Sequence, residues 1–331
     1  MAERTKTIKE RNLVTITGYL KENTLEQFIT KDGKNAIRGA LVISTGRVES
    51  HKVQFYLSET NSKGEASKEY EALLGMLPEK TTTIASYLNA NPQADYDTAC
   101  SYASKVWAAG YFDEYARNTE DRGEVSSIQI RGRRAGFKKA SGDQPFSAHS
   151  RFEVEIYINE LTPELDEMGE KTGRASLVGL IPVYDQSMLQ IKFVAPAEDG
   201  VADYIMKNYA VSDTVHVNGV LVNVMNKVLI KSASETHFGQ GGRDQYQTTF
   251  VNERRILGGD IKPIHEGEDG SITKNAVKIG LAKRASKIAA NSQKKPAPKA
   301  NFGKPNAAGE DEVDFYEVLT YGRKDLFNRS C

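Results

Sequence analysis

The chain has 331 residues, 39% of them hydrophobic, which is length for about two domains and enough apolar side chain for real cores, so disorder throughout is excluded. Its 44 basic residues are balanced by 44 acidic ones, which excludes a global field toward nucleic acid or membrane and leaves only local patches as candidates. Cys100 and Cys331 make neither a disulfide framework nor a four-ligand zinc site, the polar start MAERTKTIKER lacks a signal peptide's apolar core, and no run approaches the roughly 18 apolar residues of a membrane span, so a cytoplasmic protein without cofactor, metal or membrane partner is expected.

From Asn12 to Ser58 the chain reads as strands: LVTITGYL, EQFIT, a turn at Asp32-Gly33, AIRGALVIST and HKVQFYLS. In the last, Val53, Phe55 and Leu57 alternate with Lys52, Gln54 and Tyr56, the period of a strand with one buried face. Residues 63–118 change character. SKEYEALLGML has helical spacing, Thr81 to Thr83 suit an N-cap, and TACSYASKVWAAGYFDEYARN places Trp107, Tyr111 and Phe112 at core-like helical intervals. The expectation is a mainly helical insertion over about 60–118, with a short strand near KVWAAG. Strands resume with VSSIQIRGRRAGFKK and RFEVEIYINEL.

An acidic joint, TPELDEMGEKTG, covers 162–173, and beyond it the order recurs: ASLVGLIPVYD, MLQIKFVAP, a helix GVADYIMKNY, TVHVNGVLVNVMNKVLIKS, a glycine-rich loop and QTTFVNERRILGG. The stretches Tyr115 to Gly132 and Tyr204 to Gly219 read as repeats of one helix-to-strand corner. The expected fold is mainly β with a helical insertion: two tandem small barrels, 1–165 and 166–265, then a flexible tail at 266–331. Within that tail, 271–308 holds nine Lys or Arg and no acid, which reads as a flexible basic linker with a helical turn or two near VKIGLAKRASKIAA. The acidic GEDEVDF follows, with Glu310, Asp311, Glu312, Asp314 and Phe315.

At GEVSSIQIRGRRAGFKK, at SDTVHVNGVLVN and at the basic linker ending in an acidic, phenylalanine-bearing tip, the chain resembles single-stranded DNA-binding proteins, and its layout is similar to that of replication proteins of large bacteriophages. The resemblance covers 12–60 and 107–160, and more loosely 175–259. It implies five-stranded OB-fold barrels with a helix between the third and fourth strands, and a role without catalysis in DNA replication, recombination or repair, in the host cytoplasm if the protein is viral. It further implies that the tip recruits replication or recombination proteins. The chain departs from the compact bacterial form in its second barrel, its helical insertion and the sixteen residues that follow Phe315.

Binding single strands takes positive charge along the phosphates and flat side chains under the bases. In the first half Arg131 and Arg133 share a strand face, with Arg134, Phe137, Lys138 and Lys139 beyond, and Arg38, Lys52 and Tyr56 on neighbouring strands; Tyr56, Phe137 and Tyr157 are the stacking candidates. In the second half Lys227, Lys231, Arg243, Tyr246 and Arg254 surround a loop that is either a second DNA surface or a protein-docking face. Structural roles compete at each: a charged strand face is often only solvated, Phe137 also fits a barrel end, and Tyr56 also fits under the insertion. The acidic tip reads as a phosphate mimic that folds back on the basic linker or the groove, with Phe315 as a partner's anchor, or as a solubilising turn. A phosphate loop with its lysine is missing from GQGGRD, and the five histidines lack metal-ligand spacing, so no enzyme is expected. The alternatives are an adaptor whose barrels bind proteins, and an RNA-binding protein using the same chemistry.

Overall fold

The alternation in HKVQFYLS is an alternation of burial: His51, Val53 and Phe55 are buried while Lys52 and Tyr56 are exposed. The computed structural model describes residues 12–60, 64–119, 123–138, 146–231 and 245–293, with backbone alone for 226–231, 245–247 and 293. These residues belong to the unit Met1–Gln293, and the expected acidic tip lies outside them. One sheet holds the strands β1 (Asn12–Asn23), β2 (Glu26–Ile29), β3 (Asn35–Gly46), β4 (Glu49–Ser58), β5 (Lys105–Thr119), β6 (Gly123–Phe137), β7 (His149–Leu165), β8 (Lys171–Pro182), β9 (Met188–Ala195), β10 (Thr214–Lys231) and β11 (Gln245–Gly259). The helices are α1 (Lys68–Leu74), α2 (Ile84–Ala90), α3 (Tyr96–Tyr102), α4 (Val201–Asn208) and α5 (Lys274–Gln293).

Pairing closes the sheet twice. The first circuit runs β1–β3–β4–β6–β5 and back to β1, antiparallel except for β4–β6. The second runs β7–β8–β9–β11–β10 and back to β7, antiparallel except for β9–β11. In each, the helices lie between the third and fourth strands, so the chain folds as two tandem OB-type barrels. Their irregularities coincide. A register shift falls after Leu20 in β1 and after Ile158 in β7, the first strands of the two circuits. Another falls before Gly110 in β5 and before Gly219 in β10, the fourth strands. At both glycines an added Cβ would lie 2.0 Å from a carbonyl oxygen, that of Arg131 in one barrel and of Arg255 in the other, which makes Arg131 and Arg255 equivalent positions.

The barrels share one core. β1 pairs antiparallel with β7 from Asn12 opposite Val154 to Thr17 opposite His149. Phe152 has its ring 6.0 Å from Phe112 of the first barrel and 5.5 Å from Phe193 of the second, in a single buried cluster. Where β5 runs beyond β1, the Asn12 side chain takes the place of a strand, donating to the Phe112 carbonyl at 3.0 Å and accepting its N–H at 2.9 Å.

Several expectations are corrected here. The helical insertion ends at Tyr102; the short strand expected near KVWAAG is the start of the longer β5, which also carries Trp107, Tyr111 and Phe112 and buries Val106, Ala108 and Phe112 with a period of two. The mistaken helix rested on Trp107 and Tyr111, four apart, an interval that also falls on one face of a strand. Tyr115 to Gly132 is therefore the β5–β6 hairpin, and the true counterpart of the α4–β10 corner is α3 into β5. RGRR lies on β6, the fifth strand of its barrel. The acidic joint at 162–173 is the β7–β8 hairpin, its turn held by Asp166 Oδ1, which accepts from the N–H groups of Met168 and Glu170 at 2.9 Å each. Strand β7 thus closes the second circuit through β8 and β10 while its start also pairs with β1 of the first.

Residues 274–293, expected as linker with a helical turn or two, are the twenty-residue helix α5. Val277, Gly280, Arg284 and Ile288 recur at helical spacing and face inward, and Lys274, Arg284 and Lys287 find their acids elsewhere in the chain. Arg284 bonds both oxygens of Glu114 at 2.8 Å and Glu124 at 2.5 Å, which raises its pKa. Lys287 pairs with Asp185, whose carboxyl titrates at about 2 despite partial burial. Because Glu114 and Glu124 belong to the first barrel and Asp185 to the second, α5 staples the two. A charge count within 271–308 could not reveal partners so far away in sequence. Among the described residues, no helix is long and apolar enough to cross a membrane.

His51 gives the fold a pH dependence. Burial lowers its pKa to about 4, against the raising effect of Glu49 4.0 Å away. The unfolded chain takes up this proton near pH 6.5 and the fold only near 4, so the stability it supports is complete above pH 6.5 and is lost as pH falls toward 4. Urea melts between pH 7 and 5 are expected to show a loss approaching about 1.4 kcal/mol per pH unit that His51→Gln removes. An unchanged slope in the variant would assign the loss to other groups.

Candidate nucleic-acid interface

The residues expected to bind nucleic acid in the first half fall largely on one outer face. Strand register aligns them in rows: Glu26, Arg38 and Tyr56 across β2, β3 and β4, then Ala40, Gln54, Arg131 and Tyr111 across β3, β4, β6 and β5. Lys52 stands opposite Val42 one step further on. Tyr56 is 57% exposed, with the Phe28 ring at 5.8 Å, and the Arg38 guanidinium lies 4.8 Å from the Phe28 centroid. Arg133 sits 4.7 Å from the Tyr111 ring. Two flat platforms, each with a cation beside an aromatic ring, thus occupy a single face.

The arginines are held in place by carboxylates. Arg38 pairs with Glu26 at 2.5 Å and Arg131 with Asp113 at 3.1 Å, while Arg134 places two nitrogens on one oxygen of Glu69 in α1, at 2.8 and 3.1 Å. Exposed pairs of this kind contribute about 0–1 kcal/mol each. Exchanging such a carboxylate for a phosphate oxygen therefore costs little, and the guanidinium is already oriented.

Phe137 and Lys138 are exposed at the end of β6, Phe137 opposite Val106. Tyr157 does not join them. It is only 5% exposed, packs with Leu180 and Met188, and donates its hydroxyl to Ser212 Oγ at 2.9 Å, because its place on β7 turns it toward Ile272 and Val277. Lys139 and Arg243 lie outside the described residues; the backbone places Lys227 and Lys231 on β10 and Tyr246 on β11. Arg254 is half-buried on β11. Phe28 and Tyr111 were missed from sequence. Phe28 lies in a four-residue strand whose partner Ala36 reveals nothing, and Tyr111 was assigned to a helix core. Among the described residues there is no cluster of His, Cys, Asp or Glu suited to a metal ion.

Residues 111–296 match the family model described as YorF. No curated protein matches the chain. Among solved structures, a deletion mutant of the single-stranded DNA binding protein from Thermus aquaticus is 14% identical, with a TM-score of 0.40, over 78% of this chain and 98% of that one. The wild-type Thermus aquaticus protein is 14% identical, with a TM-score of 0.39, over 75% and 91%. A replication protein A heterotrimer bound to single-stranded DNA is 7% identical, with a TM-score of 0.17, over 76% and 52%.

Proposed function

We propose that this chain, which belongs to the YorF family, is a non-catalytic protein that binds single-stranded DNA and coats and protects it during replication or recombination. Arg38, Lys52, Arg131, Arg133, Arg134 and Lys138 would follow the phosphates, and Tyr56, Phe28, Tyr111 and Phe137 would carry unstacked bases. The observation that carries the reading is the register that puts Arg38, Tyr56, Arg131 and Tyr111 on one outer face of a closed barrel. Lys139 would extend the cationic run and Lys227, Lys231, Arg243, Tyr246 and Arg254 would add a second surface. The acidic tip Glu310, Asp311, Glu312, Asp314 and Phe315 would recruit replication or recombination proteins, competing with DNA for basic residues until displaced.

A second reading, an adaptor whose barrels bind proteins, draws on the same carboxylate pairs, since Glu26, Asp113 and Glu69 dilute the positive field that DNA would meet. A gel-shift series with single-stranded DNA, duplex DNA and RNA at two salt concentrations separates the readings. Single-stranded DNA is expected to shift at the lowest protein concentration and to release as salt rises. No shift with any nucleic acid would favour the adaptor, and a preference for RNA would assign the same face to 2′-hydroxyl recognition.

A further inference from the structure

The outer face of the first barrel continues onto the second. Strands β10 and β11 run on as a long hairpin, and β10 meets the start of β4 at an antiparallel bridge, Val224 opposite Glu49. Met225 N–H donates to the Val48 carbonyl at 3.2 Å, and Asn223 Nδ2 donates to the Ser50 carbonyl at 2.7 Å. Antiparallel partners share a face. Asn223, one step from the bridge and level with Ser50, therefore lies on the side of the sheet that carries Lys52, Gln54 and Tyr56.

The hairpin extends that side. Asn252 is opposite Asn223, Phe250 opposite Met225, and Arg254 opposite Leu221. Lower on β10 this side is the barrel interior, where Val217 and Leu221 are buried; past Leu221 it emerges, leaving Phe250 43% and Met225 39% exposed. An apolar pair thus stands on the same face as the Tyr56 platform.

Arg254 supplies the charge. Since Arg255 is equivalent to Arg131, Arg254 occupies the place of Ile130 in the first barrel, a position that packs against the core there. Its guanidinium is half-buried, has no hydrogen bond or ion pair among the described residues, and has its pKa lowered by burial alone. A partly desolvated, unpaired cation is unfavourable until an anion meets it, and a planar guanidinium suits a phosphate. The adjacent Glu253 and Arg255, on the other face, are already paired with Arg174 and with each other.

We propose that Arg254, Asn223, Asn252, Met225 and Phe250 form a phosphate- and base-binding subsite that continues the first barrel's platform across the β4–β10 bridge, so that one single strand runs over both barrels. The proposal rests on the single-strand reading above.

Labelled oligo-dT of about 30 nucleotides, long enough for two barrels, titrated against the full chain tests it. One oligonucleotide per chain is expected, with Phe250→Ala and Arg254→Gln each weakening binding about 10-fold, as Tyr56→Ala does. If both hairpin variants bind within twofold of the parent while Tyr56→Ala is weakened, the continuous path is wrong and the single-strand reading stands. Two oligonucleotides bound per chain would also overturn the path. If the parent chain binds no oligo-dT, the single-strand reading itself fails and the path with it. Phe250 is exposed, and equal thermal melts for Phe250→Ala and the parent would exclude misfolding as the cause of any loss.

Discussion

Phe152→Ala is expected to destabilise both barrels together by about 3–5 kcal/mol, the usual cost of emptying a well-packed aromatic site. The side chain is 1% exposed and stands between Phe112 and Phe193, one from each barrel. Its ring also lies over Gly219, where an added Cβ would fall 2.7 Å from Phe152 Cζ. A cavity here opens the core at the place where β1 and β7 join the two circuits. Trp107, on β5 of the first barrel, and total ellipticity, which reports both, should therefore lose signal in one shared transition displaced to lower urea. Two separated transitions, with Trp107 fluorescence retained through the first, would mean that the barrels have independent cores.

Replacing Arg131, Arg133 and Arg134 by glutamate is expected to lower affinity for oligo-dT by about 100-fold at 0.1 M salt, if each arginine neutralises one phosphate. The estimate follows from counterion release: three contacts on a single strand give about 0.7 decades each for every tenfold change in salt, and the slope of log K against log salt should become shallower by about 2. Arg134 is exposed and Arg131 half-exposed, and both pair with partly exposed carboxylates, so the fold should survive. Asp113→Asn provides the opposite sign, since it releases Arg131 from its 3.1 Å partner and should tighten binding modestly. Unchanged affinity in the triple variant would move the DNA away from this face and favour the adaptor.

The barrels were legible because strand alternation survives folding. Val53, Phe55 and Leu57 on one side and Lys52, Gln54 and Tyr56 on the other appear in the sequence in the order that the structure uses. What escaped was whatever depends on distant partners. The sequence shows only a short strand near KVWAAG, because Trp107 and Tyr111 suit either period, and only pairing with β1 and β6 reveals that the strand runs to Thr119. α5 was read as linker because Glu114, Glu124 and Asp185, which neutralise it, lie more than 90 positions away in the chain. The site divides in the same way. Arg38, Lys52, Tyr56 and Arg131 announce themselves as polar positions on alternating strands, whereas Tyr157 looked similar and is buried. Phe28, Tyr111 and Phe250 become binding candidates only once register sets each beside its neighbour across the sheet.

The central claim is a preference for unpaired strands, created by stacking on Tyr56 and its neighbours as well as by charge. Fluorescence of Trp107 and the tyrosines, followed during oligo-dT addition with duplex DNA as competitor at low and high salt, tests it most directly. Saturable quenching by oligo-dT is predicted, weakening as salt rises and little affected by duplex. Equal or tighter binding of the duplex, with no preference for the single strand, would contradict the account.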